Sequence, residues 1–167
     1  MSPVTARPLC PWAPASTPAL CLAIAKRALC DVGICEVPPG SNRSPRIDEY
    51  VSATGAPLGS YWCAAALAAW FREAGAKVPS QAASCDSWMG WAKLTARWRT
   101  GPALGWAVLY GVPGDARHCG VVVRVEPLLL SVEGNTSLGG FSRNGVAADL
   151  KLVATHAVLG YVEPEAA

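Results

Sequence analysis

Ser60-Tyr61-Trp62-Cys63-Ala64-Ala65-Ala66-Leu67-Ala68-Ala69-Trp70-Phe71-Arg72-Glu73-Ala74-Gly75 is the stretch that decides the fold. Alanine and leucine are strong helix formers, and the run carries no charge before Arg72. Such a run predicts a helix buried on nearly all sides, with Gly75 as its stop. A helix of that kind must be covered by the rest of the chain.

Upstream, Thr17 is the expected N-cap of a first helix, with Pro18 in its first turn, running to about Asp31 and stopped by Gly33. Glu36-Val37-Pro38-Pro39-Gly40-Ser41-Asn42-Arg43 is turn-forming, and Ser44-Pro45 opens a short helix ending near Gly55. Downstream, a further helix starts near Ser84 or Asp86 and carries Trp88 and Trp91. After Pro102 the character changes. Trp106 to Tyr110, His118 to Val125, Leu128 to Glu133 and Leu150 to Val162 read as strands separated by glycine-rich turns. Helices first and strands afterwards specify an α+β fold, with N-terminal helices packed on an antiparallel sheet. Residues 1–16 form a proline-rich lead, and 17–164 form a single domain, since 167 residues leave little room for a second core.

Composition excludes several functions. The chain is 51% hydrophobic, which suits a globular core, and its net charge of +2 has no Lys/Arg run behind it, so no nucleic-acid partner is expected. No segment approaches the roughly 20 apolar residues of a membrane span. The prolines at 3, 8, 11, 14 and 18 break up the N-terminus, which lacks the pattern of a signal peptide, so synthesis in the cytoplasm is expected. Seven cysteines include no C-x-x-C pair, and only His118 and His156 could add imidazoles. We therefore expect reduced thiols, no metal and no organic cofactor.

Cys63 lies at the start of its helix, where unpaired N–H groups and the helix dipole stabilise a thiolate. The other six lack such a setting, and several of the cysteines sit among Ala, Leu and Val, where a thiol reads as a small hydrophobe. A cysteine nucleophile needs an imidazole, and the imidazole needs a group that orients it. His118 opens a strand just after the turn at Pro113-Gly114-Asp115. A hairpin turning at Glu126-Pro127 sets His118 opposite Asn135 and Gly120 opposite Glu133, with 118, 133 and 135 on one face. Either Glu133 or Asn135 could orient His118. His156, mid-strand and without a polar neighbour, reads as structural.

The order of these phrases resembles a known family. Tyr61-Trp62-Cys63-Ala64-Ala65, then His118-Cys119-Gly120-Val121-Val122-Val123, then Val132-Glu133-Gly134-Asn135-Thr136 are similar to the CHAP and NlpC/P60 amidase-peptidases, bacterial and phage enzymes that cleave peptidoglycan. Glu36 to Asn42 is similar to the entry segment of phage-type members. The resemblance spans roughly residues 20–162 and implies a papain-like fold, with Cys63 as nucleophile, His118 as base, Glu133 as third member and Asn135 as a further polar group. Departures exist: Trp62 stands where many relatives have Asp, alanines follow Cys63 where many have Trp-Tyr, and Gly105-Trp106 replaces a frequent Gly-Asp.

The resemblance implies a monomeric hydrolase acting on a peptidoglycan stem peptide, of the phage endolysin type, reaching the cell wall or periplasm after release from the cytoplasm. It would be either an N-acetylmuramoyl-L-alanine amidase or a stem-peptide endopeptidase. Tyr61, Trp62 and Trp88 are expected to contact substrate. Alternatives are an interbacterial amidase toxin, a transglutaminase-like acyltransferase on the same fold, and a non-catalytic wall-binding domain.

Overall fold

Pro18 and Ser44 start the first two helices by different means. In the computed structural model, which describes residues 13–137 and 145–167, α1 spans Ala19–Cys30 behind Pro18, with no side-chain cap. Thr17 does not cap it, contrary to expectation; its N–H bonds to the Pro14 carbonyl at 2.9 Å instead. Helix α2, Pro45–Ala53, begins as expected, with Ser44 accepting the Ile47 N–H and proline in the first turn. The alanine-rich run forms α3, Cys63–Glu73, and every residue from Cys63 to Phe71 is buried. Helix α4, Cys85–Leu94, is capped by Ser84, whose Oγ accepts the Ser87 N–H at 3.3 Å.

The strands are β1 (Trp98–Arg99), β2 (Ala107–Val112), β3 (Asp115–Arg124), β4 (Leu130–Thr136), β5 (Ala147–Leu152) and β6 (Val158–Val162). They form one antiparallel sheet in the order β1-β6-β2-β3-β4-β5. The chain is thus α+β, with helices on an antiparallel sheet, as composition and patterning implied. Two details differ. The short strand β1 has no counterpart among the expected strands, and the expected single strand from Leu150 to Val162 is two. A 3-10 turn at Thr155–Ala157 separates them, so β5 pairs with β4 at one edge while β6 lies between β1 and β2. His156 sits exposed in that turn, not mid-strand.

Strand alternation divides the apolar residues. Ala107, Leu109, Cys119, Val121, Val123 and Val132 join the helices in the main core, whereas Val108, Tyr110, Val122, Val153 and Tyr161 form a smaller cluster. One buried carboxylate ties three helices together. Asp31 Oδ2 accepts the Tyr50 hydroxyl at 2.6 Å, the Trp70 indole N–H at 2.9 Å and Arg46 at 3.1 Å. A buried charge is tolerable only with such partners. Among the described residues, no helix is long and apolar enough to cross a membrane.

The β3–β4 register matters most for the site. Gly120 pairs with Glu133, Val121 with Val132 and Val122 with Ser131, as a turn at Glu126-Pro127 requires. Gly134 then permits α3 to close onto β4, since a Cβ there would lie 2.8 Å from the Trp62 ring and 3.0 Å from Ala66 Cβ.

Candidate active site

Cys63 is the first residue of α3, and its N-cap, Trp62, offers no side-chain acceptor to the first turn. The first intrahelical bond runs from Ala66 to the Trp62 carbonyl at 2.9 Å, so the N–H groups ahead of it make no i−4 bond and point out of the helix end. An anion at this position gains from them and from the helix dipole.

His118 reaches the site from β3. Its Nε2 lies 3.0 Å from Glu133 Oε2. The other carboxylate oxygen accepts the Tyr110 and Ser131 hydroxyls, each at 2.7 Å. Tyr110 is the cross-strand partner of His118, and their rings stack with centroids 5.9 Å apart. Glu133 is buried, yet its bonds to His118, Ser131 and Tyr110 outweigh burial and hold its carboxyl below the usual range. It stays ionised and fixes the ring. Gly120 makes this reach possible, because a Cβ there would stand 2.6 Å from Glu133 Cγ.

With Nε2 engaged, Nδ1 is the nitrogen left for chemistry, and it is buried without a hydrogen-bond partner. Cys63 is close enough for the two groups to stabilise one another's charge. Burial alone would pull the imidazole down, but the Cys63 and Glu133 charges push it up to about 10. The Cys63 thiol is held well below its ordinary value by the Cys119 and Cys85 thiols beside it, against burial and with help from His118. Both shifts run toward a thiolate and an imidazolium, with the Glu133 carboxylate behind the ring.

Three of the expected site residues act elsewhere. Asn135 does not face His118. It has φ 53°, the β4–β5 register shifts between Glu133 and Thr136, and the ladder to β3 ends at Gly120 and Glu133. Left-handed backbone, which asparagine tolerates, swings its amide toward α3 and the entry segment. There it accepts the Trp62 N–H at 3.2 Å and donates to the Gly145 carbonyl at 2.7 Å, Asn42 Oδ1 at 3.0 Å and Glu36 Oε1 at 3.3 Å. Trp62 and Trp88 do not contact substrate as expected, because both rings are completely buried. Their indole N–H groups are spent on Glu36 Oε1 and the Ala82 carbonyl, each at 3.0 Å, so neither can wall a cleft. Tyr61, two residues before Cys63, is 56% exposed and can meet a ligand.

Sequence reasoning missed three residues. Cys85, like Cys63, is the first residue of a helix, so the favourable setting is not unique to Cys63. Cys119 points from β3 into the main core. The Sγ atoms of Cys63, Cys85 and Cys119 lie within 4.8 Å of one another, and all three residues are buried. The expected helix start near Ser84 already put Cys85 in a first turn, but nothing local brings Cys119 to it. Glu36 is the third; it lies buried beneath Trp62, within a turn-forming segment whose composition gives no sign of a site role. The six described cysteines all carry free thiols.

The chain matches no known family model and has no significant match among curated proteins or solved structures.

Proposed function

We propose that this protein is a cysteine hydrolase that cleaves an amide bond of peptidoglycan stem peptides. The observation carrying the reaction class is a buried His118 whose Nε2 is held by Glu133, whose Nδ1 has no hydrogen-bond partner, and whose charge couples to that of Cys63. That arrangement meets the needs of nucleophilic catalysis: a thiolate at a helix N-terminus, an imidazole beside it and a buried carboxylate fixing the imidazole. The substrate class rests on the likeness of the Cys63, His118 and Glu133 phrases, and of Glu36 to Asn42, to peptidoglycan amidase-peptidases. An exposed Tyr61 next to the nucleophile suits a peptide laid across the helix end.

In this reading the Cys63 thiolate attacks the amide carbonyl, and the tetrahedral oxyanion is met by the backbone N–H of Cys63. His118 delivers the proton from Nδ1 to the departing amine, leaving a thioester on Cys63. Water, deprotonated by the now neutral His118, attacks that thioester and frees the thiol. Glu133 keeps the ring oriented and balances the imidazolium charge throughout, without itself taking the proton.

The test is direct. Purified protein and a Cys63→Ala variant are incubated with peptidoglycan of several chemotypes, and the soluble products are weighed by mass spectrometry. Release of peptide fragments by the wild type alone supports the reading, and fragment masses identify an amidase or an endopeptidase. Wall binding by both proteins with no fragments from either would instead make the domain a binder. Equal release by both would remove Cys63 from the nucleophile's role.

A further inference from the structure

Three thiols, from the first turns of α3 and α4 and from the middle of β3, converge although they are far apart in sequence. Cys63 Sγ and Cys85 Sγ are 3.9 Å apart, and Cys119 Sγ completes a triangle in which no edge exceeds 4.8 Å. Zinc–thiolate bonds of about 2.3 Å in tetrahedral geometry set sulfurs about 3.8 Å apart, so the triangle needs to contract only slightly around an ion.

The supports of this triangle are rigid. Ser84 caps α4, and Asp86 Oδ1 accepts the Ala116 N–H of β3 at 2.7 Å, locking the helix start to the strand that bears Cys119. Two helix N-termini face the cluster, so part of the thiolate charge is already balanced. His118 stands outside the triangle, with its Nδ1 buried without a hydrogen-bond partner and its Nε2 held by the Glu133 carboxylate.

We propose that Cys63, Cys85 and Cys119 bind a single zinc(II) ion through their three thiolates, with the fourth position open to water. Three thiolates form a soft donor set, which suits zinc and disfavours magnesium or calcium. An ion held there occupies Cys63, the nucleophile of the proposed reaction. Zinc is therefore a reversible off-switch for the hydrolase; this consequence rests on the catalytic reading above, whereas binding itself does not.

The experiment is a titration of reduced, metal-free full-length protein with cobalt(II) under anaerobic conditions, followed by displacement with zinc(II). Expected is one ion per chain, with intense near-ultraviolet sulfur-to-cobalt charge transfer and visible bands of tetrahedral type, both erased by zinc. Cys85→Ala and Cys119→Ala should each weaken binding by more than the about 10- to 100-fold that loss of a mere supporting group costs. Cys30→Ser and Cys35→Ser, at exposed thiols, should bind as wild type; circular dichroism checks that each variant folds. Absence of charge transfer, or bands that survive in the Cys85→Ala/Cys119→Ala double variant, overturns the site. Peptidoglycan digestion by metal-free and zinc-loaded protein separates the two readings. Hydrolysis by metal-free protein that binds no cobalt sinks the metal site alone. Specific cobalt binding by a protein inert on every wall sinks the hydrolase alone. Equal hydrolysis with and without bound zinc overturns the off-switch.

Discussion

Asn135 Oδ1 accepts the backbone N–H of Trp62 at 3.2 Å, so a side chain from β4, 73 positions away, holds the residue that precedes Cys63. The same amide donates to Glu36, Asn42 and the Gly145 carbonyl. Two residues earlier on the same strand, Glu133 fixes His118. One short segment therefore sets both the start of the helix that bears Cys63 and the orientation of His118. Glu36, 3% exposed, depends on it too, since its Oε1 is met only by Asn135 and Trp62 among the described residues and its Oε2 by none.

Removing that amide should be costly. Asn135→Ala leaves the Trp62 N–H, the Gly145 carbonyl and a buried carboxylate short of partners. Each such orphan costs about 1–3 kcal/mol, and with three of them we expect a total loss of at least about 3 kcal/mol in urea unfolding. Asn135→Asp should be worse at neutral pH, because it sets a second carboxylate against Glu36 and removes the donors. Stability within about 0.5 kcal/mol of wild type, the scatter of surface substitutions, would dismiss this account of Asn135.

On the proposed hydrolase reading, the pH profile of the metal-free protein is set by Cys63 and His118. Cys63 must be ionised, so activity falls as pH drops through its lowered pKa. His118 must carry a proton for the leaving amine, so activity falls as pH rises through about 10, to which the Cys63 and Glu133 charges push it. The two limbs are macroscopic properties of the pair. Glu133→Gln deletes one of the charges that raise His118, so the alkaline limb of kcat/KM should move to lower pH and kcat should fall at least tenfold. An unmoved alkaline limb would deny Glu133 its electrostatic role.

Much of this site was legible in the sequence because it depends on local chemistry. Ser44-Pro45 and Ser84 mark helix starts by capping, and the Glu126-Pro127 turn set the Gly120–Glu133 register that brings a carboxylate to His118. What failed depended on distant parts of the chain. Regular alternation sends residue 135 to the face of 133, but the left-handed backbone at Asn135 breaks the alternation, and only contact with Glu36 and Trp62 explains why. Trp62 and Trp88 carry polar N–H groups that could serve a cleft; their burial depends on the Glu36 and Ala82 acceptors. The thiol triangle needs the sheet and two helices assembled before any spacing appears.

Gly120 leads to a sharper test of the register. A methyl group there would stand 2.6 Å from both Glu133 Cγ and the Val132 carbonyl oxygen, within β3 and β4 themselves. Neither can move without opening the strand pair. Gly120→Ala should therefore displace the carboxylate from His118, lowering kcat by at least tenfold and stability by about 1–3 kcal/mol, the range for overpacked sites. Digestion assays and urea titration on the same preparation read both.

Tyr61 and Trp88 should separate binding from packing. Trp88 is fully buried against Phe71 and Trp91, with ring centroids 5.0 and 6.0 Å away. Trp88→Ala should cost about 3–5 kcal/mol of stability. Tyr61 is exposed, so Tyr61→Ala should leave stability within about 0.5 kcal/mol and raise KM for wall peptides instead. A stability loss at Tyr61 like that at Trp88 would place it in the core and withdraw it from the substrate surface.

Cys119 should set the reactivity of Cys63 in the metal-free protein. Its thiol is buried at 0% exposure, and burial together with the neighbouring Cys63 and Cys85 raises its pKa, so it stays protonated beside the thiolate. A protonated thiol can donate a weak hydrogen bond, and losing that donor removes a stabilising partner of the Cys63 anion. Cys119→Ala preserves a small apolar side chain while deleting the donor. The pH at which Cys63 is half-alkylated by iodoacetamide should then rise, with mass spectrometry locating the label on residue 63. Cys30→Ala, at an exposed thiol, should leave that midpoint in place. If the two variants titrate alike, Cys119 contributes nothing to the thiolate, and the low pKa of Cys63 must come from His118, Cys85 and the helix end alone.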